Sequence, residues 1–394
     1  MSFTEIPLLD LSLADDPATK PDFLKQLRHA LLEVGFLYLK NVGVPDELFQ
    51  KVIKQGIAFF DLPMEEKCAT PCNIAYKSLS FSEQSELMYK PRLKIEMKNA
   101  PSFLGYSRLS AEITAGAVDH REQIDLSTEH PLPSASSPLS HNLLAPNQWP
   151  SEASIPNFRA AYTEYIKLMG AVSVRFTSLI AEAVGLPASA FEKYFDEDQQ
   201  HKLKIVKYPD EGQLGGETQG VGPHKDSMLT SYLLQATKHK GLQVQNIQGQ
   251  WIDCPPIDGT LVVAIGQGME AFTQGVCVST THRVLSPAAG SGPRFSIPFF
   301  QGVKLDAEFD DLETVGVGKV PEEVKEQRRR VLDGAGGKRL DDVEFTFRAG
   351  GASKTLGEAT LRNRVKSHPD VGERWYPDIL KSIRAEQQKS AAVA

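Results

Sequence analysis

The sequence is poor in cysteine, with four among 394 residues. That number excludes the disulfide framework on which small secreted proteins depend. Cys68 and Cys72 lie close together, but a structural zinc site needs four ligands and the sequence offers no second pair nearby. We therefore interpret both as ordinary thiols.

The sequence also lacks a long apolar run. No stretch approaches the ~20 consecutive apolar residues that cross a bilayer. The first residues, MSFTEIPLLDLSLADD, show no basic region followed by an apolar core, as a signal peptide would. Together with the low cysteine content, this pattern predicts a cytoplasmic protein that does not span a membrane.

An excess of positive charge is absent as well. Lys and Arg number 43 against 50 Asp and Glu, which gives a formal net charge of -7. A nucleic acid or an anionic membrane is therefore not expected as the main partner. The composition, 41% hydrophobic and 24% charged, is that of a globular chain, long enough for one large domain or two ordinary ones. The oligomeric state stays open.

Apolar periodicity divides the chain into four predicted regions. They are an N-terminal region of helices and strands (1–125), a connecting loop with a long helix (126–200), a strand-rich core (201–305), and a variable segment with C-terminal helices (306–394). Many short strands separated by Gly, Pro and Asn are typical of a β-barrel or sandwich. The expected fold class is mainly β with flanking helices.

Side-chain spacing assigns individual elements within these regions. Ile6–Leu13 and Glu270–Leu285 are predicted to be strands, and Asp22–Val34 and Ile155–Val184 carry apolar residues at helical spacing. Residues 307–355 are acidic, then basic, then rich in glycine. Long irregular segments are often functional, so a lid is one interpretation, and a solvated helix face is the other.

One short motif joins a histidine and an aspartate. GVGPHKDSMLTSYLLQ places His224 and Asp226 two residues apart, where we expect a strand to begin, so both side chains would point the same way. His282 follows 58 residues later, whereas the remaining histidines, His368 among them, have no such partner pattern. Two histidines and a carboxylate that leave adjacent positions open form the ligand set of non-haem Fe(II) oxygenases. Zinc prefers a closed tetrahedral site or three ligands and a water.

A second motif, R-F-S, follows twelve residues after His282. Arg294 and Ser296 would face the interior from one strand. A guanidinium fork beside a hydroxyl suits a carboxylate, and a buried arginine is costly unless an anion accompanies it. The two residues therefore predict an anchor for a dicarboxylate, and Tyr208 in KIVKYP is a candidate for a further hydrogen bond.

Three more residues are candidates for a substrate pocket. Lys204 and Val206 share the strand parity of Tyr208, and Phe300 shares that of Arg294. All three would then face the same interior, where Phe300 is a candidate for the pocket floor.

These motifs resemble those of a known family. H-K-D, S-T-T-H-R-V and R-F-S look like the iron and 2-oxoglutarate motifs of the isopenicillin N synthase-like dioxygenases. IPLLDLS, GFLYLKNVGV and FFDLPMEEK are similar to the leading domain of that family, and SHPDVGERWYP resembles its fungal branch. The resemblance covers most of the chain and is weakest over 70–155 and 307–355.

The resemblance implies a fold and a reaction. The fold would be a double-stranded β-helix, or jelly roll, with Fe(II) on His224, Asp226 and His282. 2-Oxoglutarate would chelate the iron and place its far carboxylate on Arg294 and Ser296. With O2, it would be converted to succinate and CO2 while a small organic molecule is hydroxylated, desaturated or modified in a ring, in fungal secondary metabolism.

The resemblance also implies roles for some of the candidate pocket residues. Tyr208 falls where the family often has a tyrosine that touches the co-substrate, whereas Val206 stands where it often has asparagine. Lys204 falls where a related ethylene-forming enzyme has an arginine. Two other functions stay open: an iron-dependent oxidase of the isopenicillin N synthase type that does not use 2-oxoglutarate, and a non-catalytic receptor for a small molecule on the same fold.

Overall fold

The structure, a computed structural model, describes residues 2–67, 95–114, 117–196, 199–216, 218–308, 320–333 and 353–393. In these ranges the strands are β1 (Leu8–Asp10), β2 (Phe36–Lys40), β3 (Gly105–Ser107), β4 (Ile113–Thr114), β5 (Ala117–Val118), β6 (Glu122–Ser127), β7 (Lys202–Tyr208), β8 (Gln219–His224), β9 (Thr230–Gln235), β10 (Leu242–Gln245), β11 (Trp251–Asp253), β12 (Thr260–Ile265), β13 (His282–Leu285) and β14 (Arg294–Phe300). The helices are α1 (Lys20–His29), α2 (Asp46–Phe60), α3 (Met64–Lys67), α4 (Phe158–Ala183), α5 (Gln267–Phe272), α6 (Glu322–Asp333), α7 (Leu356–Ser367), α8 (Pro369–Trp375) and α9 (Pro377–Val393). The Cys68–Cys72 interpretation lies outside the described residues.

Two largely antiparallel sheets form the core. The larger has the strand order β1-β2-β12-β9-β14-β7-β6-β3, and the smaller has the order β11-β10-β13-β8. Central strands such as β12 (TLVVAI) are almost wholly apolar because both of their faces are covered. Residues of both sheets line one cavity between them. The predicted fold class, a jelly-roll core with flanking helices, is confirmed. Among the described helices, none is both long and apolar enough to cross a membrane.

The long helix α4 belongs to a helical layer that packs against β7, a strand with several residues that line the cavity. It packs against α1 and α2. Gly56 on α2 lies so close to its neighbours that a Cβ would stand 2.6 Å from the hydroxyl of Tyr162 and 2.9 Å from the side chain of Ile205. Because Ile205 belongs to β7, this close contact holds the helical layer against that strand.

The two predicted long helices are present. Asp22–Val34 corresponds to α1 and a following π-helical turn, Ala30–Val34, which ends at Gly35 with a φ of 72°. A Cβ at Gly35 would stand 2.3 Å from Oγ1 of Thr280, so only glycine fits there. Ile155–Val184 corresponds to α4.

The first predicted strand is shorter than expected. Of Ile6–Leu13, only β1 is a strand, and Leu11–Ala14 form a 3-10 turn. The Asp10 carboxylate accepts a hydrogen bond from the Ser12 N–H at 3.1 Å and so caps that turn. A side-chain cap therefore ends a strand that the apolar pattern alone would continue.

The predicted strand over Glu270–Leu285 is wrong in its first part. Helix α5 occupies the beginning, and only β13 at the end is a strand. Met269 and Phe272 on α5 are buried in the main apolar core. A short apolar run does not distinguish a buried helix from a buried strand, which explains the error.

The segment predicted as a possible lid is described only in part. Helix α6 packs against the N-terminal helical layer, where Nη1 of Arg328 donates to the Leu32 carbonyl at 2.7 Å. Residues 320–333 do not line the cavity. The lid interpretation for 309–319 and 334–352 falls outside the described residues.

The C-terminal helices pack in a second apolar cluster, which they share with Met97, Leu143 and Leu305. Leu361 and Val365 on α7 pack with Tyr376 and with Phe103, which stacks on Tyr376 at 5.7 Å between ring centroids. The inner side of α7 faces the cavity. The predicted boundary at 125/126 falls within β6, and the division into four regions stays a prediction.

His201, directly before β7, couples stability to pH. Its Nδ1 accepts a hydrogen bond from the Gly302 N–H at 3.3 Å, and burial lowers its pKa to about 4. An unfolded histidine binds a proton below about pH 6.5, whereas the folded one stays neutral until about pH 4. The contribution of His201 to the free energy of unfolding should therefore decrease as the pH falls through this window, by about 2 kcal/mol between pH 7 and pH 5.

Urea denaturation at these two pH values checks the assignment. His201→Gln is expected to lose about 2 kcal/mol less unfolding free energy between pH 7 and pH 5 than the wild type. His29→Gln is the matched control: it removes an exposed contact with Glu33 on the surface and should not reduce the loss of stability as His201→Gln does. An unchanged pH dependence in His201→Gln would contradict the role given to His201.

Candidate metal centre and carboxylate site

The structure brings the two predicted histidines and the aspartate together. His224, the last residue of β8, pairs across the smaller sheet with His282, the first residue of β13, and their ring centroids are 4.2 Å apart. Oδ1 of Asp226 lies 3.8 Å from Nε2 of His224 and 3.9 Å from Nε2 of His282. Three ligand atoms of these side chains lie within 4.8 Å of one another, close enough to hold one metal ion.

The local geometry of H-x-D differs from the expectation. The strand ends at His224 instead of beginning there, and Asp226 lies in the loop that follows. The backbone carbonyl of Asp226 accepts a hydrogen bond from the Gln267 N–H at 2.7 Å, at the start of α5. The loop, fastened by α5, therefore points the carboxylate at the histidines, and strand parity does not.

Both histidines present the nitrogen that a metal needs. Nδ1 of His224 lies 2.8 Å from the carbonyl of Gly222, and Nδ1 of His282 lies 3.3 Å from that of Thr280. When Nδ1 donates to a carbonyl, the lone pair is on Nε2, which faces Asp226. Burial lowers the pKa of both rings, that of His282 to about 4, which favours the neutral form that binds metal.

The aspartate is oriented by a hydroxyl on the larger sheet. Oγ of Ser231 on β9 donates to Oδ2 of Asp226 at 2.5 Å, so Oδ1 is left to face the histidines. Hydrogen bonds to a ligating carboxylate from outside the ligand set orient it and tune its affinity. Ser231→Ala should therefore weaken Mn(II) binding by about 10- to 100-fold, measured by calorimetry. Ser227→Ala, at a cavity residue in the same loop, is the control, and equal affinities would contradict this role.

A buried arginine with free donors lies in the same cavity. Arg294 on β14 is 1% exposed, and its Nε and Nη1 have no hydrogen-bond partner in the described part of the chain. The same holds for Oγ of Ser296, two residues along the strand. Burial lowers the pKa of Arg294, which shows the cost of burying a cation without a carboxylate beside it. These orphaned donors fit the carboxylate predicted from R-F-S.

Two neighbours orient that arginine. Tyr208 is its cross-strand partner on β7, and the guanidinium carbon lies 5.1 Å from the centroid of the tyrosine ring. Nη2 of Arg294 donates to Oε1 of Gln235 at 3.2 Å. One donor and the ring thus hold the guanidinium plane, while Nε and Nη1 stay available for a ligand.

The cavity between the sheets measures about 920 Å³. It includes the triad, Arg294 and Ser296, and it is also lined by Lys204 and Phe300, two of the candidate pocket residues. Val206 is not among the described residues that line it. Val206 is fully buried in the apolar cluster between the sheets.

One wall of the cavity is a network of buried charges that the motifs did not indicate. Its members that line the cavity are the carboxylates of Glu112 and Asp125 and the cations of Arg121, Lys204 and Arg364. Behind them, Asp119 contacts Arg121, and Nε2 of His368 lies 3.5 Å from Glu112. Glu112 pairs with Arg121 at 2.8 Å and with Lys204 at 3.2 Å. Asp125 pairs with Lys204 at 3.3 Å and with Arg364 at 2.8 Å. Burial alone would raise the pKa of Glu112, but the charges of Arg121 and Lys204 hold it well below its ordinary value.

A jelly roll with two histidines and one carboxylate at an open site defines the class of non-haem Fe(II) oxygenases. Comparison with known proteins leads to the family. The model of the 2OG-Fe(II) oxygenase superfamily matches residues 194–303. The model described as non-haem dioxygenase in morphine synthesis N-terminal matches residues 6–86 and 82–152. The chain belongs to the 2OG-Fe(II) oxygenase superfamily and is a non-haem Fe(II)- and 2-oxoglutarate-dependent dioxygenase.

Individual relatives agree with this family. The chain is 60% identical over 398 residues to the 2-oxoglutarate-dependent dioxygenase frbJ of Dothideomycetidae sp. (strain 11243), covering 100% of this chain and 98% of the relative. It is 35% identical to a 2-oxoglutarate-dependent dioxygenase of Gibberella zeae, over 99% and 96% of the two chains. A solved structure of a 2OG-Fe(II) oxygenase family protein from Caulobacter crescentus has a similar fold, with a TM-score of 0.61, 24% identity and coverage of 83% and 99%.

The family decides between the functions that the sequence left open. A 2-oxoglutarate-dependent enzyme is neither an oxidase that dispenses with this co-substrate nor a receptor without catalysis. The cofactors are therefore Fe(II), 2-oxoglutarate and O2, as predicted.

Proposed function

We propose that the enzyme oxidises a C–H bond of a small organic molecule held in the cavity between the two sheets. His224, Asp226 and His282 would hold the Fe(II), and Arg294 with Ser296 would bind the far carboxylate of 2-oxoglutarate. The observation that carries this proposal is the set of buried, unpartnered donors on Arg294 and Ser296 in the cavity that holds the triad. Fe(II) with 2-oxoglutarate and O2 supplies an oxidant that removes a hydrogen atom from the substrate, with succinate and CO2 as co-products.

The chain's own contribution is to bind and orient. Tyr208 and Gln235 fix the guanidinium of Arg294, so that a carboxylate docks in one orientation. The hydroxyl of Ser231 and the Gln267 N–H fix Asp226. Such fixed donors lose little entropy when the ligand arrives and hold the reacting groups at a set distance.

The interior around these residues is largely apolar. The buried apolar side chains that line the cavity are Phe36, Val221, Leu242, Val262, Ala264 and Val284. Apolar walls would keep bulk water away from the oxidant and so limit its side reactions with water.

An anaerobic spectrum tests the proposal. Protein loaded with Fe(II) should develop a weak visible charge-transfer band when 2-oxoglutarate is added, and the band should be lost in Asp226→Ala. Succinate release on admission of O2 is the second readout. Iron binding without a band in the wild type would count against the proposed placement of 2-oxoglutarate.

Cellular setting and partners are part of the proposal. The 60% identity to a fungal 2-oxoglutarate-dependent dioxygenase supports a role in fungal secondary metabolism. The net charge of -7 supports a small molecule, and neither a nucleic acid nor a membrane, as the partner. The low cysteine content supports a cytoplasmic enzyme.

A further inference from the structure

Lys202 has a buried amine and belongs neither to the metal triad nor to the carboxylate site of Arg294 and Ser296. It is the first residue of β7, shares the parity of Lys204 and Tyr208, and lines the cavity. Its Nζ is inaccessible to solvent and has no hydrogen-bond partner among the described residues. No ion pair of Lys202 occurs there either, although the charge of Asp125 acts on it from further away.

The neighbouring carboxylates are already engaged. Glu112 and Asp125 each contact two cations of the charged wall, and Asp119 contacts Arg121 at 3.1 Å. Lys202 is therefore left without a hydrogen bond or an ion pair among the described residues of this wall. Burial lowers the pKa of Lys202 and the nearby charge of Arg364 lowers it further, while the charge of Asp125 offsets this only in part.

The position of Lys202 separates it from the co-substrate site. Lys202 pairs with Phe300 at one end of β14, whereas Tyr208 pairs with Arg294 at the other end. Six residues of strand correspond to about 20 Å between Cα atoms. The far carboxylate of 2-oxoglutarate therefore does not neutralise Lys202.

The same position is close to the metal centre. Phe300 pairs on its other side with Ser231, whose hydroxyl holds Asp226. Two strand spacings correspond to about 10 Å between Lys202 and Ser231. A group bound at Lys202 would therefore keep the body of a small molecule beside the triad.

We propose that Lys202 binds a carboxylate of the primary substrate, which makes the enzyme an oxygenase of small carboxylic acids. The inference rests on the proposed function, because it assigns the anion to the same cavity. An unpaired amine can carry one positive charge beside the single negative charge of a carboxylate, whose presence favours the protonated form, and a buried charge-assisted hydrogen bond would then compensate both groups. The carboxylate would orient the substrate, so Lys202 is a positioning residue for specificity.

Matched pairs of carboxylates and amides test the proposal. The probes are benzoate, phenylacetate and hexanoate, each with its primary amide, added to the anaerobic complex with Mn(II) and saturating 2-oxoglutarate. Saturating 2-oxoglutarate keeps the probes from Arg294, and Mn(II) prevents turnover. Calorimetry at pH 7 should show at least one carboxylate binding about 10- to 100-fold more tightly than its amide.

Three variants identify the residue responsible. Lys202→Met should abolish the preference for the carboxylate, and Lys202→Arg should keep most of it. Lys207→Met is the matched control, because Lys207 lies on the opposite face of β7 and pairs with Glu122 at 3.0 Å. Wild-type protein that binds no carboxylate better than its amide, or Lys202→Met that retains the preference, would overturn the proposal.

Two further measurements distinguish a failure of the role of Lys202 from a failure of the proposed function. A buried amine without a partner destabilises the ligand-free protein, so Lys202→Met should raise its thermal midpoint, whereas a structural role for Lys202 predicts a lower midpoint. The 2-oxoglutarate band of the Fe(II) protein should be unchanged in Lys202→Met. A missing band in the wild type would refute the proposed function, whereas a normal band without carboxylate preference would refute only the role of Lys202.

Discussion

Arg294→Met is expected to weaken 2-oxoglutarate binding by about 30- to 4,000-fold while iron binding changes little. Truncating one partner of a buried, hydrogen-bonded charge pair costs about 2–5 kcal/mol, and each 1.4 kcal/mol is about tenfold in affinity. The donors lost are Nε and Nη1, which have no partner in the described residues and are free for a carboxylate. The dissociation constant of 2-oxoglutarate, followed by its visible band with Fe(II), measures the effect.

Stability should change in the opposite direction. Without co-substrate, Arg294 is a buried cation with no ion pair among the described residues, and methionine has a similar length without the charge. Ligand-free Arg294→Met should therefore unfold at higher urea concentration, by on the order of 1 kcal/mol. Ser296→Ala is the control with a smaller expected loss of affinity, since it removes one neutral donor. A variant that is both less stable and normal in 2-oxoglutarate binding would show that Arg294 is structural.

Asp226→Ala is expected to abolish iron-dependent turnover with the fold intact. The carboxylate is the only anionic member of the triad, and its Oδ1 lies within 4 Å of both Nε2 atoms. Loss of an outer partner of a metal ligand costs about 10- to 100-fold in activity, so loss of the ligand should exceed that range. Succinate formation and the stoichiometry of bound Fe(II) are the measurements.

His239→Ala is the matched control for His224→Ala and His282→Ala. The ring of His239 is hydrogen-bonded to the Thr237 hydroxyl and to the Ser291 carbonyl, and it does not line the cavity. Its loss should leave iron binding and succinate formation unchanged. Full activity in either triad variant would refute the assignment of the metal centre.

Much of this site could be predicted because strand periodicity is a local property. Arg294, Ser296 and Tyr208 came together as their spacing implied, since β7 and β14 pair in register. The side chains of H-x-D also lie beside His282, although for a different reason: a loop, not a strand, aims Asp226 at the histidines. The spacing of the motif does not reveal the turn that places Asp226 there.

The charged wall of the cavity could not be predicted in the same way. Glu112 and Asp125 come from a stretch of weak periodicity, and Arg364 and His368 come from the far end of the chain. Their pairing spans more than two hundred residues and depends on how α7 packs against the barrel. Lys202 had the right parity, but only the absence of a partner in the described structure distinguishes it from Lys204.

The separate packing of the C-terminal helices has an evolutionary consequence. The barrel side of the cavity is tied to strand registers that also hold the metal and co-substrate residues. The side formed by α7 packs through Leu361 and Val365 in the second apolar cluster and is joined to β6 by the ion pair of Arg364 with Asp125. Substitutions at uncharged α7 residues that line the cavity, such as Thr360 and Asn363, would therefore reshape its substrate side without altering a strand register that holds the metal and co-substrate residues. Lineages that carry this fold would thus have a route to new substrates that keeps the iron and 2-oxoglutarate residues in place.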